Sequence, residues 1–158
     1  MPVTGTEATA LAVWQQLHDS AFPSGRLVHS NGLEEWLSDR PEAGSAEIEA
    51  AVRAFTEHGC ATLDATVAAH AWRAEASVEL LVDLDELIGT YKLFDNARTA
   101  SVSAGRQMAT TAEQIGMTGG HPFLRAVLDG RSPGHGAVVD GVLQAVLGVP
   151  QHLAVLGV

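Results

Sequence analysis

Apolar residues recur every three or four positions along most of the chain, and this spacing predicts α-helices. The first run stops at "SAFPSG", where Pro23 and Gly25 predict a turn. The glycine- and proline-containing segments "SDRPEAGS", "GMTGGHP" and "DGRSPGHG" separate the later runs. The positions expected to face a core are Leu11, Trp14 and Leu17, then Ile48, Val52, Phe55, Leu63 and Val67, then Leu80, Leu81, Leu84, Leu87 and Ile88, and finally Val138, Val139, Val142, Leu143 and Val146.

Small residues replace the large apolar ones in the segment "DNARTASVSAGRQM". Ala97, Ser101 and Gly105 lie four positions apart, so they share one helix face that a second helix can approach closely. No stretch alternates with a period of two, and aromatic residues make up only 5% of the chain, which favours helices over sheets. The prediction is an all-α fold, a bundle of about six helices.

The composition narrows the possible functions. A formal charge of -10 disfavours binding to nucleic acid, because the phosphate backbone would be repelled. No apolar run reaches the roughly 18 residues that a membrane span requires, and the first residues lack the basic region of a signal peptide. The single cysteine, Cys60, cannot form an internal disulfide, so we expect a cytoplasmic protein.

Side chains capable of chemistry are present, but their spacing is not specific. The seven histidines include no His-x3-His pair, and no Cys-x2-Cys pair exists, so a preformed metal site is not indicated. The chain also lacks a Gly-x-Ser-x-Gly elbow and a phosphate-binding Gly-rich loop. Two alternatives stay open: a small hydrolase that uses His29 or His135, and a metal-binding protein.

The segment "HDSAFPSGRLVHSNGLEEW" concentrates histidines, acids and a predicted turn within nineteen residues. Asn31 is expected to cap a short helix that ends at Leu37, and Glu34 would present its charge from that helix. An ordered loop of this kind suits recognition of a partner, because little entropy is lost on binding. The plainer interpretation is that His29 and Ser30 satisfy buried backbone groups.

Three blocks of the sequence, in this order, resemble the UreF family of urease accessory proteins. The first is "DSAFPSGRLVHSNGLE", the second is "ARTASVSAGRQM" and the third is "GHGAVVDGVLQAVLGV". Arg26 and Leu27 depart from the family pattern, which more often has a small residue and an aromatic there. The positions that match the family signature are Asp19, Ser20, Phe22, Pro23, Gly25, His29, Ser30, Gly32, Glu34, Arg98, Ser101, Gly105, Arg106 and His135.

The resemblance implies an all-α, non-catalytic protein that dimerises. It implies a scaffold that bridges a UreD/UreH-type accessory protein and the GTPase UreG, and that regulates UreG during nickel insertion into the urease apoprotein. Nickel and GTP would be held by the partners, so no cofactor is expected on this chain. With this resemblance, the alternative of a metal-binding protein becomes a nickel-binding protein. Family members continue with further helices after the third block. We therefore expect residues 1–158 to form a single UreF-like domain shortened at its C-terminus.

Overall fold

The computed structural model describes residues 5–24 and 32–157, and within these ranges it contains helices and no β-strand. The all-α prediction is confirmed, and six of the described α-helices have nine or more residues. The elements are α1 (Gly5–His18), α2 (Leu33–Ser38), α3 (Ser45–Phe55), a π-helical segment (Thr56–Asp64), α4 (Ala65–Arg73), α5 (Val78–Tyr91), α6 (Asp95–Gln114), α7 (Pro122–Leu128), α8 (Gly136–Val146) and α9 (Gln151–Ala154).

Helix α8 is the centre of the bundle. Its residues 137–144 are all buried, and it packs chiefly against α4 and α6. Gly141 permits the contact with α4, because a Cβ at this position would overlap the carbonyl oxygen of Ala68. The chain after α8 is also held against α4, since the Trp72 indole N–H donates to the carbonyl of Val149 at 2.8 Å.

Helix α3, the π-helical segment and α4 form one continuous helical run over residues 45–73. The wider π-helical turn includes Gly59. The predicted inward face was wrong at Val52 and Phe55, which are 43% and 44% exposed. The reason is that α3 makes its principal contacts with the adjoining π-helical segment, so the bundle covers only the later part of the run, from Leu63 onward.

Two further predicted inward faces need correction. In α1, Leu11 is 40% exposed, because the face turned toward the bundle carries Ala10 and Leu17, both of which are buried. In α5, Leu81 and Ile88 are buried, whereas the outer positions Leu80 and Leu87 are more than half exposed. Both α5 faces are apolar, so periodicity alone could not distinguish them.

No helix within residues 5–24 or 32–157 is both long and apolar enough to cross a lipid bilayer.

Candidate functional site

The loop that precedes α8 is held by a buried carboxylate on α5. Asp85 is fully buried, and it accepts hydrogen bonds from the Ser132 hydroxyl at 2.6 Å, the Gly134 N–H at 2.6 Å and the His135 N–H at 2.7 Å. Three donors compensate one carboxylate for its loss of water. Asp85 therefore fixes the entry of the chain into α8.

Helix α6 approaches the same loop from the other side through Gly105. A Cβ at Gly105 would overlap the carbonyl oxygen of Gly134 and lie 2.8 Å from the Gly136 nitrogen. Gly134 has a φ of +81°, and a side chain there would strike Val127. The prediction of a close approach at Gly105 is confirmed, and its partner is the backbone of residues 134–136 at the start of α8.

His135 lies between these two contacts and is 2% exposed. Its Nδ1 is 3.1 Å from the Ser101 hydroxyl oxygen, and its Nε2 faces Gly89, where a Cβ would come within 3.1 Å. Burial lowers the pKa of His135, while the nearby Asp85 carboxylate acts in the opposite direction. Since burial has the larger effect, the neutral imidazole is favoured.

Ser101, His135 and Asp85 are the residue types of a hydrolytic triad, but their connections differ from one. In a triad the carboxylate accepts from the imidazole ring, whereas here the Asp85 carboxylate accepts from the His135 main-chain N–H. The buried ring is also closed to a substrate. The arrangement gives the hydrolase hypothesis no geometric support at His135, and His29 lies outside the described residues.

The two signature arginines contact backbone carbonyls close to this site. Arg106 donates from Nε to the Pro133 carbonyl at 2.8 Å, which attaches α6 to the loop before α8. Arg98 donates to the Lys92 carbonyl at 2.9 Å and pairs with the Asp95 carboxylate. The two arginines therefore support internal turns while their helix face remains partly open to solvent.

The N-terminal signature forms a separate contact at the other end of α6. The Asp19 side chain accepts from the Ala21 N–H at 2.7 Å, which makes a tight turn, and Phe22 inserts into the core. The Thr111 hydroxyl donates to the Pro23 carbonyl at 3.1 Å. Thr111 lies ten residues after Ser101, about 15 Å along the helix, so this contact is separate from the His135 site.

The remaining signature positions of the first block do not converge on either contact. Ser20 and Glu34 are exposed. Gly32, with φ +89°, occupies the N-cap of α2, the place where the sequence suggested Asn31. Gly25, His29 and Ser30, and also Asn31, lie outside the described residues.

A second cluster of buried polar side chains, around Asp140, was not predicted from the sequence. Gln144 donates to the Asp140 carboxylate at 2.9 Å and to the Ala154 carbonyl at 3.2 Å, and His18 Nε2 lies 3.7 Å from the same carboxylate. Asp85, Asp140 and Gln144 each interrupt an apolar helix face, and a polar residue at such a position is the signal that could have identified them.

Other candidate chemistry receives little support within the described residues. Burial raises the pKa of the Cys60 thiol, and the neighbouring Asp64 carboxylate raises it further, so the thiol form is favoured. Asp64 is paired with the Lys92 ammonium at 2.8 Å. No group of three or more His, Cys, Asp or Glu side chains in residues 5–24 and 32–157 could hold a metal ion.

Comparison with known proteins gives a consistent result. The family model UreF matches residues 42–158. The chain is 36% identical over 148 residues to the urease accessory protein UreF of Mycobacterium tuberculosis strain H37Ra, covering 92% of this chain and 65% of that protein. It is 29% identical over 156 residues to the UreF of Corynebacterium efficiens, covering 95% and 66% of the two chains.

A third relative is the UreF of Kocuria rhizophila, 30% identical over 141 residues, with 89% of this chain and 60% of that protein covered. The chain thus spans about two thirds or less of the length of these relatives. No solved structure matches it. The family match covers most of the chain, including the second and third signature blocks, and leads to one conclusion: the chain belongs to the UreF family of urease accessory proteins.

Proposed function

We propose that the chain is a non-catalytic scaffold in urease maturation, and that it regulates the GTPase UreG during nickel insertion into the urease apoprotein. The observation that carries the proposal is that signature residues of the second and third blocks pack inside the protein. Ser101, Gly105 and His135 meet in one buried contact between α6 and the start of α8. The use of these side chains in internal packing favours a scaffold role over a reaction on a bound substrate.

The partners follow from the family. A UreD/UreH-type accessory protein, UreG and the urease apoprotein are the proposed partners, and the chain acts as a homodimer in the cytoplasm. Nickel and GTP are held by the partner proteins. The charge of -10 supports an association with proteins and disfavours one with nucleic acid or an anionic membrane surface.

The test is complementation of a urease operon from which the UreF gene has been removed. The chain is co-expressed with the apoprotein, the UreD/UreH-type protein and UreG, and a full-length UreF relative serves as positive control. We expect co-purification with the accessory proteins, restored urease activity and nickel in the purified urease. Absence of both co-purification and activity, with a working positive control, would contradict the proposal.

A further inference from the structure

Helix α5 carries a second apolar face that the bundle leaves uncovered. Leu80, Leu84, Leu87 and Tyr91 follow one another at intervals of four, three and four residues, so they form one stripe on the helix. Leu80, Leu87 and Tyr91 are 57%, 51% and 63% exposed, while Leu84 is half-buried. We call these four residues the α5 stripe.

Two more exposed apolar side chains occur in the connection between α5 and α6. Leu93 and Phe94, which follow the C-cap residue Lys92, are 80% and 74% exposed. Exposed apolar residues that occur singly are ordinary, but a contiguous group on one helix marks a contact surface. The opposite face of α5, with Leu81 and Ile88, already packs in the core, so this helix has two apolar faces and the outer one lacks a cover within the described residues.

A row of carboxylates borders the α5 stripe. Glu79, Asp83 and Glu86 each precede a stripe position by one residue, which places them about 100° around the helix on the same side. All three are exposed. We call them the acidic ridge. No basic residue occurs in α5, and the nearest ammonium, on Lys92, is paired with Asp64 at 2.8 Å.

We propose that the α5 stripe and the acidic ridge together bind an amphipathic helix of a partner protein, one whose apolar face is bordered by lysine or arginine. The apolar stripe supplies the area to be buried, and the acidic ridge selects for a basic border. Because α5 has 14 residues, the matching helix has about four turns, or about 21 Å. The inference deepens the proposed scaffold role, and it rests on that role for the identity of the natural partner.

A second copy of this chain is a poor occupant of the surface. Its own α5 would bring the same three carboxylates and no basic side chain, on a molecule that already carries a charge of -10. Burial of apolar surface between two copies would then have to overcome the repulsion between their carboxylates. A basic helix would instead be attracted by the same carboxylates. The homodimer proposed above therefore uses a different face.

The first experiment measures binding of labelled helical peptides to the chain by fluorescence anisotropy. One 18-residue peptide has a leucine stripe bordered by lysines, and its control has the same stripe bordered by glutamates. We expect the lysine peptide to bind at least about tenfold more tightly at low salt, and the difference to shrink as salt is added. Equal binding of both peptides would overturn the proposed selectivity.

Variants locate the binding on α5. Leu80→Ser combined with Leu87→Ser should weaken binding of the lysine peptide at least about tenfold. The control is Ile115→Ser, which changes an exposed apolar side chain outside α5 (53% exposed) and should leave this binding unchanged. Thermal melts establish that each variant is folded. Asp83→Lys with Glu86→Lys, at exposed positions, should reverse the preference toward the glutamate peptide. An unchanged preference in that variant would contradict the role of the acidic ridge.

The second experiment repeats the co-purification with the UreD/UreH-type protein and UreG. If the wild-type chain retains a partner and the Leu80→Ser, Leu87→Ser variant loses it, the natural occupant is that partner. If both retain every partner, the inference fails for the natural complex while the scaffold proposal stands. If the wild type binds neither protein, the scaffold proposal fails and the peptide measurements still decide the surface. Conversion of a wild-type dimer into a monomer by the same variant would show that a second copy occupies the stripe.

Discussion

Gly105 shows how one missing side chain positions a whole helix. The closest contact of α6 with the start of α8 is made where a Cβ would overlap the Gly134 carbonyl oxygen. Helical spacing placed Gly105 correctly on a close-packed face. It did not reveal that the neighbour is a loop backbone held in turn by Asp85, because that contact joins residues 49 positions apart.

Replacement of Gly105 by alanine should destabilise the fold. The added methyl group has no space, and overpacking of this kind typically costs about 1–3 kcal/mol. The measurement is the free energy of unfolding in urea. Gly59→Ala is the matched control, because a Cβ there meets only Phe55 at an ordinary 3.7 Å. Equal stability of the Gly105→Ala variant and the wild type would show that α6 and α8 can separate at no cost.

His135 should make stability depend on pH. Burial lowers its pKa in the folded state; Lys92 and Arg98 act in the same direction, and Asp85 and Asp64 oppose them. As the pH falls below the ordinary value of 6.5, the unfolded chain takes up a proton that the folded chain resists. Stability is therefore complete above that value and declines as the pH falls toward the folded pKa.

The corresponding measurement compares urea unfolding of the wild type and His135→Gln between about pH 5.5 and 7.5. Glutamine removes the titrating group and retains hydrogen-bonding capacity toward Ser101. The variant should show a smaller loss of stability on acidification. Identical pH dependence in the two proteins would mean that His135 does not contribute to it.

At the scale of elements, the helices differ in how firmly the bundle holds them. Helix α8 is buried over residues 137–144, whereas α3 contains no buried residue and is followed by the π-helical segment, which contains none either. Although α3 continues into the π-helical segment and α4, none of its residues is buried, so its turns depend on backbone hydrogen bonds that are marginal in water without packing. We therefore expect α3 to open locally while the rest stays folded.

Amide hydrogen exchange tests this difference. Amides of α3 should exchange much faster than those of α8, with protection rising again through α4, where Val67, Ala68 and Ala71 are buried. The comparison is internal to one sample, so α8 serves as the reference. Equal protection of the α3 and α8 amides would contradict the expectation.

At the scale of the whole molecule, the internal contacts and the open surfaces are separate. The signature residues of the second and third blocks bind the bundle together around His135, whereas the α5 stripe lies on the outside. A variant can therefore be sorted by its effect. A change at the His135 site should reduce both the stability of the fold and urease activation. A change on a contact surface should reduce urease activation alone.

Arg106 allows this sorting to be tested, because it contacts the Pro133 carbonyl and also lies on an exposed face. We predict that Arg106→Ala impairs urease activation more than folding, with a loss of stability of only about 1 kcal/mol. Arg98→Ala should behave similarly. Arg53→Ala is the control, since its pair with Glu49 is largely exposed and contributes little. A parallel loss of stability and activation would assign both arginines to folding.

The local pattern of apolar, glycine and proline residues was sufficient to predict part of this structure. Period-three-and-four apolar spacing identified the helical class and the core face of α8, and glycine and proline placed the breaks around residues 116–121 and 130–136. The small residues Ser101 and Gly105 were recognised as a packing face. These features depend on side chains close together in sequence, where helix geometry sets the spacing.

The rest required the tertiary structure. In the sequence, Asp85 is an ordinary acidic residue on a leucine-rich helix. It becomes a buried acceptor of three hydrogen bonds only because residues 132–135 pack against it in the fold. Likewise, α5 has two apolar faces, and its sequence does not say which one meets α8. Burial and hydrogen bonding between distant segments depend on which surfaces the chain brings together, and helical periodicity carries no information about that choice.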